Sequence, residues 1–254
     1  MVPDGISPSV DVWRSIRREA ETALACDPIF GRSLSASILD HADLGAAVSW
    51  QIGARLGKSD SDRRLLAGIA NEAFAASPEL ADSASRDLEA IVRHDPAHAG
   101  LLPALLTFKG YLALQAWRVS NWLWLGDRRD VALLLQSLSS ESLQVSIHPS
   151  ASIGTSVFLD HATGIVIGAF VTIGDEVTIL QNVTIGRMAE APDRAPRIGR
   201  GVYLGGGATI LGDISIGDFA RVGAGSVVTG NVPGGCTAVG VPARLTNCPE
   251  AVSA

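Results

Sequence analysis

The chain has 254 residues, of which 47% are hydrophobic and 18% are charged, and its formal net charge is −6 at pH 7. This composition is typical of a globular chain with ample core material, and it excludes an intrinsically disordered one. No Lys/Arg-rich run offsets the negative charge, so a nucleic-acid partner is disfavoured. The length allows one large domain or two modest ones.

The sequence carries no pattern of export or membrane insertion. The N-terminus lacks a basic segment followed by an apolar one. Charged residues interrupt the most apolar stretch, 101–138, before it reaches the roughly 18 uncharged residues of a membrane span. Cys26, Cys236 and Cys248 are few and widely spaced, without metal-ligand spacing, which predicts three reduced thiols. We therefore expect a cytoplasmic protein with no membrane partner and no metal.

Residues 1–140 predict an all-α domain. Their apolar positions recur at helical spacing, and they are rich in Ala, Leu, Arg and Glu. Asp27-Pro28 and Asp95-Pro96 are typical of helix ends that are followed by turns. The predicted helices cover 12–25, 35–56, 60–77, 78–93, 101–120 and 130–138.

From residue 147 to residue 228 an aliphatic residue returns at every sixth position, with one slip of two residues and one break. A period of six fits neither a helix nor an alternating strand. It predicts a parallel β-helix in which the aliphatic side chains point inward and Gly supplies the corner dihedrals. The fold class is therefore α+β, with the coil over 141–240 and a short tail over 241–254. The inward positions are Ile147, Ile153, Leu159, Ile165, Ile173, Ile179, Ile185, Ile198, Leu204, Ile210, Ile216, Val222 and Val228.

The break in the six-residue series lies between Ile185 and Ile198, where extra residues fall within 187–196. Insertions leave a solenoid as loops, often on its binding face. This loop is charged and flanked by proline. We expect it to form a wall of the functional site.

His161 is the candidate catalytic residue, because it lies at the two-residue slip, where the coil wall is irregular. An imidazole titrates near neutrality, so it can take a proton from a hydroxyl that attacks an acyl group. A lone His can equally be a hydrogen-bonded corner residue. His148 is the other His of the coil, and two His without a third disfavour a zinc site. The residues alone indicate an acyltransferase-like coil with one candidate base.

The chain resembles the serine O-acetyltransferase family of hexapeptide-repeat acyltransferases over nearly its whole length. The string from Leu159 to Val166 (Leu-Asp-His-Ala-Thr-Gly-Ile-Val) is specific to that family within the wider class. The resemblance implies a left-handed β-helix and transfer of the acetyl group of acetyl-CoA to L-serine for cysteine biosynthesis. It also implies a homotrimer, or a dimer of trimers joined through the helical domains. The other matching segments are 40–45, 93–97, 108–111, 114–118, 147–149 and 240–244.

The resemblance also implies roles for individual residues. His161 matches the general base, while Asp160 and Asp95 match carboxylates that hold the substrate amino group. Arg194 matches a loop arginine that pairs with the substrate carboxylate, as a guanidinium fork can. Two small residues, Gly206 and Ala224, match positions that line the acetyl-CoA groove. Arg221 and Arg244 are either contacts to CoA phosphates or solvated surface charges.

Three positions depart from the family pattern. Ser146 stands where the family has the Asp that orients the catalytic His; a hydroxyl can fix a tautomer but cannot stabilise an imidazolium by charge. Ala195 replaces a loop His. Arg187 replaces the Gly-rich start of the loop, where backbone amides approach the thioester. These changes predict a remodelled pocket around His161.

Two alternatives to a serine O-acetyltransferase stay open at this point. One is a CoA-dependent O-acyltransferase that uses the remodelled pocket for another hydroxy amino acid. The other is a weakly active or inactive paralogue that acts as a scaffold or regulatory subunit. The tail over 241–254 lacks the terminal Ile with which the family plugs cysteine synthase, so we expect no stable complex with that enzyme.

Overall fold

The computed structural model describes residues 8–27, 29, 31–95, 97, 100–188 and 194–249. A helical domain precedes a parallel β-helix, which confirms the predicted α+β architecture. Within these residues, no helix is both long and apolar enough to cross a bilayer. The α-helices are α1 (Pro8–Cys26), α2 (Gly31–Leu34), α3 (Leu44–Leu56), α4 (Asp60–Ala76), α5 (Glu79–His94), α6 (Leu101–Thr107), α7 (Lys109–Leu125) and α8 (Arg129–Leu143).

Two of the predicted helices are wrong in extent, because each is divided by a local break. The helix predicted over 35–56 is divided into a π-helical turn (Ser35–Leu39) and α3. The side chain of Asp43 accepts a hydrogen bond from the Ala46 backbone N–H and caps the start of α3. The second divides at Phe108, whose extended backbone (φ −83°, ψ 100°) separates α6 from α7. The second break has a functional consequence, since it lets α7 begin against the coil.

The coil is a three-sided prism whose predicted inward positions, from Ile147 to Val228, are all buried. Its faces are three sheets of mostly parallel strands. The first sheet holds β1 (Val145–Ile147), β4 (Ile165–Ile167), β7 (Thr184–Gly186), β10 (Thr209–Leu211) and β13 (Val227–Val228). The second holds β2 (Ser152–Ile153), β5 (Thr172–Ile173), β8 (Arg197–Ile198) and β11 (Ser215–Ile216). The third holds β3 (Phe158–Leu159), β6 (Thr178–Ile179), β9 (Tyr203–Leu204), β12 (Arg221–Val222), β14 (Thr237–Val239) and β15 (Arg244–Thr246).

The two-residue slip falls in the turn that carries His161. Ile147 pairs with Ile167, and Val145 pairs with Ile165. The two extra residues therefore lie between β3 and β4, before the second coil begins. This turn is longer than the other corners between the third and first sheets, and it can direct a side chain out of the wall.

The predicted reason for the corner glycines is wrong. A Cβ on Gly205 would lie 2.7 Å from the backbone nitrogen of Ala224 in the next coil. The residue with left-handed backbone in that corner lies two positions later, at Gly207 (φ 72°). In the corner that follows Gly174, the left-handed residue is not a glycine but Glu176 (φ 60°). The glycine that follows each aliphatic residue thus permits close stacking of coils rather than an unusual dihedral.

The C-terminal segment is tied back to the coil. The last strand, β15, pairs antiparallel with β14, and Cys236 forms a disulfide with Cys248. The prediction of three reduced thiols is therefore wrong, and only Cys26, which is exposed, is a free thiol among the described cysteines. Reduced cysteines were one argument for the predicted cytoplasmic location, and the disulfide removes that argument.

Candidate active site

A groove of about 330 Å³ opens at the seam between the helical domain and the coil. It lies where the end of α5, the start of α7 and the turn after β3 meet. It brings together three of the predicted site residues, the base candidate and both carboxylates. The lining residues are Asp95, Thr107, Phe108, Lys109, Gly110, Leu159, Asp160 and His161.

The turn after β3 presents His161 to solvent. His161 (φ 54°) and Ala162 (φ 60°) are both left-handed, which is uncommon for residues with a Cβ. The Thr163 backbone N–H donates to the His161 carbonyl at 2.8 Å and closes the turn. The His161 side chain is 74% exposed, whereas Ala162 is fully buried. The turn is thus anchored by Ala162 and holds the imidazole outside the coil.

Two carboxylates line the groove together with the imidazole. His161 Nε2 lies 3.8 Å from Asp160 Oδ1, which is too long for a hydrogen bond. Asp95 follows the last residue of α5, and its Oδ1 accepts from the Ala97 backbone N–H at 2.9 Å. Carboxylates are suited to hold an ammonium group, and an imidazole is suited to take a proton from a nearby hydroxyl.

Lys109 is a groove residue for which the sequence analysis assigned no role. Its Nζ donates to Thr163 Oγ1 at 2.5 Å, across the seam between α7 and the His161 turn. Lys109 belongs to the 108–111 segment, which carried part of the family resemblance. That match was the sequence signal from which a role in the site could have been predicted. The part of the chain that the structure describes contains no group of three or more His, Cys, Asp or Glu that could hold a metal ion.

Ser146 lies on β1, half-buried, with its side chain turned away from the prism interior. Gln136 Nε2 donates to Ser146 Oγ at 3.2 Å. Within the described ranges this is the side-chain hydrogen bond that Ser146 makes, and it does not involve His161. The orienting role of Ser146 therefore stays a prediction.

Gly206 and Ala224 lie on the same edge of the prism as His161. All three occupy corners where the chain passes from the third sheet to the first. Since neighbouring coils are spaced by about 4.8 Å, three steps place Ala224 about 14 Å from the His161 turn. This edge is a continuous track beside the base. Backbone hydrogen bonds connect its successive corners, from Asn182 N to Thr163 O (2.7 Å), from Gly207 N to Gln181 O (2.8 Å) and from Gly225 N to Gly206 O (2.9 Å).

Arg221 and Arg244 lie on the third sheet, whose strands lead into this edge. The guanidinium of Arg221 lies 4.4 Å from the centroid of the Tyr203 ring, a cation–π contact that holds it over the face of the coil. Arg244 is exposed and pairs with Val239 across the last two strands. Both positive charges are therefore on the face next to the track.

The loop residue Arg194 lies elsewhere. Residues 189–193 of the predicted loop lie outside the described residues; the described ends, 187–188 and 194–196, lie between β7 and β8, at the corner between the first and second sheets, whereas His161 lies between the third and first. Arg194 Nη1 contacts Asp213 Oδ2 at 3.1 Å, and Arg197 contacts the same carboxylate at 2.9 Å. Hydrogen bonds from Arg197 and Arg194 lower the pKa of Asp213. A single chain does not bring Arg194 to His161.

The other two departures from the family pattern lie in the same loop. The guanidinium of Arg187 lies 5.3 Å from the centroid of the exposed Phe170 ring. Ala195 is buried, so it replaces an imidazole with a side chain that only packs. Both positions are on the corner of Arg194, not in the groove of His161.

Two family profiles match the chain. One, described as "Serine acetyltransferase, N-terminal", matches residues 12–116, and the other, "Bacterial transferase hexapeptide (six repeats)", matches residues 195–230. A serine acetyltransferase of Salmonella typhimurium is 44% identical to this chain over 239 residues, which is 94% of this chain and 88% of that protein.

Solved structures agree with these matches. The soybean serine acetyltransferase complexed with serine has a TM-score of 0.90 and 43% identity, and the match covers 96% of this chain and all of that one (100%). A serine acetyltransferase in complex with CoA has a TM-score of 0.90 and 39% identity, with 94% of this chain and 100% of that chain covered. The likeness extends over both domains.

Proposed function

The chain belongs to the serine acetyltransferase family, and we propose that it transfers the acetyl group of acetyl-CoA to the hydroxyl of L-serine with His161 as the general base. The observation that carries this proposal is the groove at the seam, which is lined by an exposed imidazole and by two carboxylates. The two alternatives, another acceptor and a scaffold without activity, are not favoured, since the relatives that match over both domains are serine acetyltransferases, one of them solved in complex with serine.

The proposed reaction follows from the positions of these groups. Asp95 and Asp160 hold the ammonium group of serine, so that its hydroxyl lies at the imidazole of His161. His161 takes the hydroxyl proton as the oxygen attacks the thioester carbonyl carbon. The tetrahedral intermediate collapses with cleavage of the C–S bond, and the imidazolium returns the proton to the departing CoA thiolate. The products are O-acetylserine and CoA.

The acyl donor is proposed to lie along the edge that runs from His161 past Gly206 to Ala224. Small residues leave room for a thin chain beside the corners. Arg221 and Arg244 then provide positive charge for the CoA phosphates on the adjoining face. The thioester end of the donor would reach His161 at the top of the track.

We propose that the site is completed by a neighbouring subunit. Arg194 is at a different corner of the prism from His161, so a substrate carboxylate held at His161 can meet it only from another chain. A trimer of coils supplies that arrangement, and a dimer of trimers through the helical domains is its proposed extension. The cytoplasm is its proposed location.

Mixed oligomers test the shared site. The variants His161→Ala and Arg194→Ala are each expected to lose most activity, and co-expression of the two should restore part of it, since some interfaces then combine an intact His161 with an intact Arg194. Failure to restore activity in verified mixed oligomers would show that Arg194 does not act across subunits. Full activity of the His161 variant alone would refute the general-base proposal.

A further inference from the structure

A carboxylate is buried where the three elements that line the groove converge. Asp87 lies in α5 and is fully buried, and its partner Arg118 in α7 is only 6% exposed. Oδ2 of Asp87 accepts from Gln115 Nε2 (3.0 Å) and from Arg118 Nε (3.0 Å) and Nη2 (2.8 Å). Oδ1 accepts from the Val157 backbone N–H (3.0 Å). Every donor is an N–H group, so the carboxyl is bound as a carboxylate.

These bonds join the helical domain to the coil, about 12 Å along α5 from the groove residue Asp95. Val157 directly precedes β3, which ends just before Asp160, and Arg118 Nη2 also donates to the Gly154 carbonyl of the same coil at 2.8 Å. Asp87 is two helical turns before Asp95 on α5. One carboxylate therefore links the helix that ends at Asp95 to the strand that leads to Asp160.

Burying this ion pair between the two domains carries a large desolvation penalty. Burial raises the pKa of Asp87, and Arg118 with the hydrogen bonds from Gln115 and Val157 opposes that rise. A buried ion pair commonly contributes less to stability than well-packed apolar side chains of similar volume. It does constrain the positions of the two side chains, because each buried charge requires its partner. Gln115 Oε1 is buried without a hydrogen-bond partner in the described part of the chain, although its amide nitrogen reaches Asp87.

We propose that Asp87 is a positioning residue for the acceptor amino acid, which sets the separation of Asp95 and Asp160 across the seam. The inference rests on the proposed function, since it assigns those two carboxylates to the substrate ammonium group. The edge at Gly206 and Ala224 lies wholly within the coil and does not depend on the contact that Asp87 makes. A disturbed network should therefore affect the acceptor but not the acyl donor.

Steady-state kinetics of Asp87→Asn test this separation. Wild-type enzyme is assayed first with L-serine and acetyl-CoA; absence of acetyl transfer there would count against the proposed function itself. For the variant we expect kcat/KM for serine to fall about 10- to 100-fold, as expected for misplaced substrate contacts, with the KM for acetyl-CoA unchanged. A role in folding alone would reduce the active fraction and leave both KM values as in the wild type.

Gln115→Met decides the question if Asp87→Asn does not fold, because it removes one hydrogen bond at nearly constant volume. We expect a rise of about threefold in the serine KM and no change in the acetyl-CoA KM. Glu72→Gln is the control, since Glu72 pairs with Arg128 on the exposed surface of the helical domain and neither residue lines the groove; its kinetics should match the wild type. Unchanged serine KM in both network variants, when folded, would overturn the inference.

Discussion

Gly110 and Ala162 hold the helical domain against the catalytic turn. A Cβ on Gly110 would lie 2.9 Å from the Cβ of Ala162, and it would overlap the Leu159 carbonyl oxygen, which ends β3. Ala162 is fully buried and immediately follows His161. The absence of a side chain at the second residue of α7 therefore determines how closely the helix approaches the base.

Gly110→Ala should separate α7 from the His161 turn. The added methyl group meets backbone atoms that cannot move independently, so helix and turn must part. The start of α7 forms one wall of the groove and the His161 turn forms the other, so their separation misplaces the substrate contacts. We therefore expect kcat/KM for L-serine to fall on the order of 100-fold. Steady-state assays of the purified, correctly assembled variant measure the loss.

Gly68→Ala is the matched control for this substitution. Gly68 lies within α4, and a Cβ there would meet no atom within 4 Å. Alanine in an exposed helical position should raise stability by about 1 kcal/mol and leave the kinetics unchanged. Equal activity of the Gly110 and Gly68 variants would show that the close contact is not required.

The coil could be predicted in detail because its signal is repeated in every turn. A period of six at positions such as Ile173, Ile179 and Ile185 has no other structural explanation, and the slip placed His161 in the correct corner. The helix breaks were missed, since a cap at Asp43 and a kink at Phe108 interrupt otherwise regular apolar spacing.

The assembly of the site could be predicted only in part. Charged residues in helical segments are usually exposed, so nothing in the helical pattern indicated that Asp87 and Arg118 are buried together. The position of Arg194 depends on which corner its loop leaves, and that is decided by counting strands around the prism. The disulfide of Cys236 was missed because the antiparallel return of β15 has no periodic signal.

Stability should fall on the acid side of neutrality through His148. Burial, and secondarily the charge of Arg187, lower the pKa of His148 from its ordinary value of 6.5. The unfolded chain then binds a proton more readily than the folded one, so stability present above about pH 6.5 is lost as the pH falls through the folded-state pKa. Thermal unfolding between about pH 7.5 and about pH 5.5 measures the effect.

His148→Asn is the comparison for that titration. An Asn oxygen can take the place of His148 Nδ1, which accepts from the Ser150 backbone N–H at 3.1 Å. The variant should lose less of its Tm on acidification than the wild type. Parallel Tm curves for the two proteins would exclude His148 as the group responsible.

The disulfide of Cys236 and Cys248 should influence the acyl donor. The two cysteines are 12 residues apart, and closing such a loop is worth about 3 kcal/mol in the chain-entropy view. The residues of β15 are exposed, so without the link the strand should detach from β14 and carry Arg244 with it. For Cys248→Ser we expect the KM for acetyl-CoA to rise about threefold to tenfold, with the serine KM unchanged.

Cys26→Ser is the control for the loss of a sulfur atom. Cys26 is exposed and free at the end of α1, far from the donor edge in the chain, and its replacement should leave both KM values unchanged. If the acetyl-CoA KM of Cys248→Ser equals that of the wild type, the tail does not contribute to binding of the donor.

The most direct measurement is the single-turnover rate of acetyl transfer to L-serine by His161→Asn at saturating concentrations of both substrates. Asn keeps a polar side chain at the exposed end of the turn but cannot accept the hydroxyl proton. We predict a rate about 10²- to 10⁴-fold below that of the wild type, with acetyl-CoA bound as tightly as before. A rate within twofold of the wild type, about the error of such a comparison, would contradict the assignment of the base.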